Sequence, residues 1–127
     1  MKRILIITFT LFFCSCAYNK EELPEPQPNN NNNNTAIHNK VTVIASGMTF
    51  APANVVINAG DTVEWQNTSG FHNVNGTQAT YASNPESFGN AVGSGWTYTF
   101  VFNTVGNYDY QCDVHVGSGM VGTVTVQ

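Results

Sequence analysis

The chain has 127 residues, enough for one ordinary domain and little more. It is 42% hydrophobic, 12% aromatic and only 9% charged, with a formal charge of -4. Lys2 and Arg3 sit in a terminal segment expected to be removed, which leaves Lys20 and Lys40 as the only basic residues of the mature chain. Two cations cannot neutralise a run of phosphates, so nucleic acid is excluded as a main partner, and an anionic membrane surface is disfavoured as an electrostatic one. No apolar run is long enough to cross a bilayer as a helix.

The first segment reads as an address. Met1-Lys2-Arg3 is a short basic head, and Ile4 to Phe13 is an apolar run of the length found in secretory signals. A signal peptidase needs a small residue before the cut. Ser15 supplies one for a cut before Cys16, whereas Phe13 does not for a cut before Cys14. Residues 1–15 therefore resemble a bacterial lipoprotein signal peptide, with Cys16 as the acylated first residue and Phe13 standing where such signals usually carry Leu. The competing reading is an ordinary secretory signal with two incidental cysteines.

Residues 16–39 carry almost no large apolar side chains. Pro24, Pro26 and Pro28 favour extended chain, and Asn29 to Asn34 form a low-complexity run. Such a composition cannot bury enough surface to offset its ordering entropy, so it reads as a flexible, lipid-anchored tether averaging about 25–30 Å end to end. Lys20-Glu21-Glu22 resembles the acidic export signals of some surface lipoproteins, and His38 reads as a solvated tether residue. These features place the protein in a bacterial cell envelope, held by lipid at the outer membrane and facing the periplasm or the cell surface.

Residues 40–127 show no helical period and several alternations of period two. VTVIAS and NVVIN open the series. In TVEWQN, Val63 and Trp65 share a face; in WTYTFVF, Trp96, Tyr98, Phe100 and Phe102 do; in NYDYQC, Tyr108, Tyr110 and Cys112 do; VGTVTV closes the chain. Glycine-containing turns separate these runs, and Thr77 to Asn90 reads as an irregular loop. Six to eight short strands in so short a stretch predict an all-β two-sheet sandwich with an aromatic core.

With the signal cut and Cys16 acylated, Cys112 is the only free thiol left, which in an exported domain is an oxidation liability. Its surroundings give it a use. Cys112, His115 and Met120 have the spacing C-x2-H-x4-M, and forty residues earlier His72 stands in GFHNV, at another expected strand end. Any one of these residues alone reads as a core or loop side chain. One thiolate, two imidazoles and one thioether together form the donor set of a blue-copper site. Soft sulfur suits Cu(I), imidazole suits both oxidation states, and little has to move when an electron arrives. Zinc fits less well, because structural zinc rarely takes methionine. Glycines at 117 and 119 are expected to let the loop fold back and bring Met120 to the metal.

The stretches 48–67, 71–74 and 108–126 resemble plastocyanins and related small cupredoxins, over essentially the whole folded part. The resemblance implies a cupredoxin-like Greek-key β-sandwich of seven to eight strands holding one mononuclear type 1 copper, with one-electron carriage as its activity. It implies His72, Cys112, His115 and Met120 as ligands. Asn73 would bond across to the cysteine loop, with Asp113 as its neighbour in that contact. His115 would be the electron port, and Val114, Val116 and Gly117 the rim against which a redox partner docks. Two departures stand out: Val114 replaces the family's usual proline, and Gln111 replaces the tyrosine that plant plastocyanins place before the cysteine.

Other readings are weaker. Cys112 with His115 lacks the orienting group and cleft of a thiol enzyme, so no enzymatic activity is expected. A copper-buffering or copper-delivery module uses the same metal without electron transfer, and a metal-free binding sandwich ignores the donor set. The folded part carries Lys40 against five carboxylates. A carrier of that sign is steered toward a basic face, such as that of a c-type cytochrome, and a monomer is the default.

Overall fold

The computed structural model describes residues 37–127; the expected signal peptide, Cys16 and most of the expected tether lie outside them. Seven strands form: β1 (Lys40–Ser46), β2 (Thr49–Ala51), β3 (Asn54–Ile57), β4 (Thr62–Asn67), β5 (Thr97–Val101), β6 (Gly106–Gln111) and β7 (Val121–Val126). One sheet has the order β2-β1-β4-β5 and the other β3-β7-β6. Strand β1 runs parallel to β4, and β3 parallel to β7, while the remaining pairs are antiparallel. This is the cupredoxin sandwich.

The period-two patterns become the two faces of each sheet. Val63, Trp65 and Asn67 alternate inward along β4, as do Tyr108 and Tyr110 along β6 and Gly122, Val124 and Val126 along β7. The inner faces meet around Trp65, which stacks on Phe88 and Tyr98 at 5.6 and 5.7 Å and meets Tyr110 edge-on at 5.4 Å. Rings at such distances add to their area burial, so this cluster carries much of the core. Phe102 closes it against Tyr108 at 4.8 Å.

Two differences from the sequence reading concern the chain's less regular parts. Strand β2 is short, and its Phe50 is buried against Tyr110 at 4.9 Å. The segment between β4 and β5 forms no strand among the described residues, only isolated bridges at His72–Gly93, Asn75–Gly89 and Asn75–Gln111, so His72 sits not at the expected strand end but on a single bridge. The segment is irregular, as expected of 77–90, yet firmly packed. Phe88 is buried over Gly76, where any side chain would collide with its ring. Asn84, 2% exposed, donates to the carbonyls of Gly76 and Asp109 and accepts from the Asp109 N–H.

Contacts reach back before β1. The Asn39 N–H donates to Asp61 Oδ1 at 2.7 Å, its carbonyl accepts from Thr62, and the exposed His38 ring lies over Gly60. Asp61 also accepts from the Asn58 N–H, and these two backbone bonds hold its carboxyl below the usual range. His38, expected to be free in solvent, thus touches the domain.

Candidate metal centre

His72 and the turn after β6 meet at one end of the sandwich. Cys112 follows β6 directly and continues its inward face, so its thiol is fully buried. Tight backbone bonds then reverse the chain: His115 N–H to Cys112 O at 3.1 Å, Ser118 N–H to His115 O at 2.9 Å, and Cys112 N–H to Met120 O at 3.0 Å. A single 3-10 turn, Val116–Ser118, ends at Gly119 with φ 83°, a left-handed conformation that glycine adopts without strain. Gly117 needs no such conformation, so only Gly119 meets the expected requirement. The reversal leaves Met120 fully buried beneath the turn.

His72 reaches the site from the irregular segment. Its N–H and carbonyl exchange bonds with Gly93 at 2.9 and 3.0 Å, and the Trp96 indole donates to the same carbonyl at 2.9 Å. Asn67 at the end of β4 ties Gly93 and Gly70 together through its amide, each at 3.0 Å. The imidazole is fully buried, and its Nε2 has no hydrogen-bond partner. Burial, with His115 close by, holds its pKa below the ordinary histidine value.

Three donor atoms converge. Cys112 Sγ lies 3.7 Å from His72 Nδ1 and 3.6 Å from His115 Nδ1, and the two Nδ1 atoms are 3.1 Å apart. A triangle of that size is what one ion about 2 Å from each nitrogen subtends. Both histidines face it through Nδ1, a detail that residue spacing does not reveal. His115 is half-buried where His72 is fully enclosed. Around it Val114 and Val116 are 50% and 40% exposed, with Gly117 open beside them.

The loop and the His72 segment are bonded to each other. Asn73 Nδ2 donates to Asp113 Oδ2 at 2.7 Å, and the Asp113 N–H donates back to Asn73 Oδ1 at 2.8 Å. Asp113 also accepts from Asn75 and Gln111. Partial burial pushes its carboxyl up, but the bonds from Gln111, Asn75 and Asn73 outweigh this and hold it below the ordinary value. Sequence reasoning missed Asn75, whose side chain is fixed by a long-range contact. It also missed Phe71, 66% exposed beside His72, an apolar residue for which an inward place is the default. Gln111 does not face open water: the Tyr81 hydroxyl donates to its Oε1 at 2.8 Å.

A buried thiol and two imidazoles in mutual reach, next to a buried thioether residue, define a mononuclear blue-copper protein on a cupredoxin scaffold. The profile of the copper binding proteins, plastocyanin/azurin family, matches residues 37–127, and the chain belongs to that family. Plastocyanin from Scenedesmus fuscus is 39% identical over 97 residues, covering 69% of this chain and 96% of that one. Plastocyanin from Prochlorothrix hollandica is 37% identical over 82 residues, covering 61% and 63%. Among solved structures, an oxidised amicyanin mutant superposes with TM-score 0.57 and 25% identity, over 68% of this chain and 81% of that one. A copper-containing nitrite reductase from Thermus scotoductus gives TM-score 0.60 and 29% identity over 69% of this chain, which spans 22% of that enzyme. The protein is a type 1 copper electron carrier: its cofactor is a single copper, and it exchanges electrons with redox partners.

Proposed function

We propose that His72, Cys112, His115 and Met120 would hold the copper, the first three through Nδ1, Sγ and Nδ1 and Met120 through its thioether. The converging triangle of donor atoms carries this assignment. When bound, the metal supplies reversible one-electron chemistry, Cu(II) to Cu(I) and back. The chain supplies a fixed frame. His72 is held by its Gly93 bridge and the Trp96 indole, and Cys112 by the Met120 carbonyl and the Asn73–Asp113 pair. A frame already set in place leaves little to rearrange when the electron moves. Burial of Cys112, His72 and Met120 keeps water from the donor atoms. That enclosure favours carriage over a buffering or delivery role, in which the metal must pass out to another protein.

In this reading Asn73 and Asp113 orient the cysteine loop. His115 is the electron port, and Val114, Val116 and Gly117 form the apolar rim that a partner covers. The partner is a redox protein with a basic face, such as a c-type cytochrome, since Lys40 stands against five carboxylates in the folded part. No catalytic step is assigned: apart from the exposed His38, the histidines of the folded part both serve the copper, leaving no second imidazole pair for another metal. Residues 1–15 direct export, Cys16 carries lipid, and 16–39 tether the domain at 40–127 to the outer membrane.

The test is an optical and electron paramagnetic resonance spectrum of the chain lacking residues 1–15, after one equivalent of Cu(II). An intense thiolate-to-copper band in the visible with a narrow hyperfine pattern is the expected result. A pale tetragonal signal, or no binding, overturns the assignment. Cytochrome reduction rates that fall with added salt are expected for the steering; salt-independent rates overturn it.

A further inference from the structure

Three neutral amides converge on one carboxylate beside the copper site. Asn73 Nδ2 donates to Asp113 Oδ2 at 2.7 Å, and Asn75 Nδ2 and Gln111 Nε2 each donate to Oδ1 at 2.9 Å. The donors come from different places: Asn73 follows His72, Asn75 lies two residues on, and Gln111 ends β6 just before Cys112. Asp113 itself follows Cys112, so the carboxylate sits one residue from the thiol and is bonded to the residue next to the buried imidazole.

Holding the loop does not require a charge. The Asp113 backbone N–H already donates to Asn73 Oδ1 at 2.8 Å, and a neutral side-chain acceptor would complete that pair. No cation offsets the carboxylate either. Lys40 is the one basic side chain among the described residues, and it pairs with Glu64 at 3.0 Å, in the ladder of β1 and β4. The amides fix the anion in place without cancelling it. An anion held near a metal opposes the arrival of an electron. Asp113 is exposed, so water screens its field in part, but the bonds to Asn73, Asn75 and Gln111 keep the charge at a fixed place one residue from the buried thiol.

We propose that Asp113, besides positioning the loop, also tunes the metal: its fixed charge biases the site toward Cu(II) and lowers the reduction potential. This rests on the copper assignment above. The test is the midpoint potential of the copper-loaded chain at pH 7, together with separate Cu(I) and Cu(II) affinities by competition. Asp113→Asn keeps the shape and removes the charge; it is expected to raise the Cu(I)-to-Cu(II) affinity ratio about tenfold, a rise of about 59 mV for one electron. Asp113→Glu restores the charge and is expected to restore most of the potential.

Asn75→Ala and Gln111→Ala loosen the same network but keep the carboxylate, and neither is expected to raise the potential. A structural role alone predicts the opposite pattern, with all the loosened variants shifting together. An unchanged or lowered potential in Asp113→Asn, or an equal rise in Asn75→Ala, overturns the proposal. Should Asp113→Asn fail to fold, Asp113→Ser is judged by the same criterion. Absence of the blue band in the unmutated chain tells against the copper assignment instead, so the two failures are distinguishable.

Discussion

The two stretches that bring a histidine to the site are built in opposite ways. Residues 68–96 form no strand, yet they bury His72 completely, through side chains that bond to backbone: Asn67, Asn84, Asn90 and Trp96 take the place of a ladder. Residues 112–120 reverse direction chiefly through short backbone bonds, with Asp113 as their side-chain tie to the first stretch, and leave His115 half-buried among exposed valines. In the proposed reading the first stretch makes an anchor and the second a port. Irregular chain is thus no guide to looseness; what matters is whether its polar groups find fixed partners.

Substitutions can break that comparison at either end. The largest effect is expected from Cys112→Ser, which serves both stretches: the intense visible band should vanish, read in a copper titration. Next come changes that release the anchor. Phe88→Ala should cost about 3–5 kcal/mol, because a fully packed ring is lost from beside Trp65. Asn84→Ala should cost about 1–3 kcal/mol, because it strands the buried Gly76 carbonyl and the part-buried N–H and carbonyl of Asp109. Both are read by urea unfolding of the metal-free chain, and a loss under about 0.5 kcal/mol in either would mean that the segment is not held as described.

A smaller effect separates core from surface by pH. Burial, with Glu86 alongside, pushes the Tyr108 hydroxyl up to about 12, and burial does the same for Tyr110. The folded chain therefore holds these protons more tightly than the unfolded chain, whose tyrosines ionise near pH 10. Their contribution to stability is whole below about pH 10 and is lost as pH rises through about 12. Tyrosinate absorbance from this pair should appear only together with alkaline unfolding, followed in the near ultraviolet; ionisation near pH 10 in the folded chain would contradict it. The smallest effect on stability is expected at the port. Val116→Ala should change unfolding by no more than about 0.5 kcal/mol while slowing electron exchange with a partner several-fold, measured by stopped flow. Unchanged rates would remove Val116 from the docking rim.

Much of the sandwich was legible because its strands obey a local rule. The alternations in TVEWQN, WTYTFVF, NYDYQC and VGTVTV fall on β4, β5, β6 and β7, with Trp65, Tyr108 and Tyr110 inside as expected. The donor set was legible for a different reason: copper restricts the residue types, and C-x2-H-x4-M fits one turn. What escaped was non-local. Phe88 and Asn84 sit in a stretch without period, and their partners, Trp65 and Asp109, lie more than twenty residues away. The Nδ1 orientation of both histidines and the three amides around Asp113 depend on backbone positions that no short motif encodes. Strand β2 was too short for its alternation to register.

The parallel pairing of β1 with β4 has a mechanical consequence. Lys40 to Ala45 register with Thr62 to Asn67, and the copper-binding turn of His72 lies beyond the far end of that ladder. A tension applied to the chain before Asn39 would meet β1 end-on, along its own axis. Pulled against the rest of the domain, β1 would load this ladder in shear, so that its rungs resist as a set and do not peel one by one.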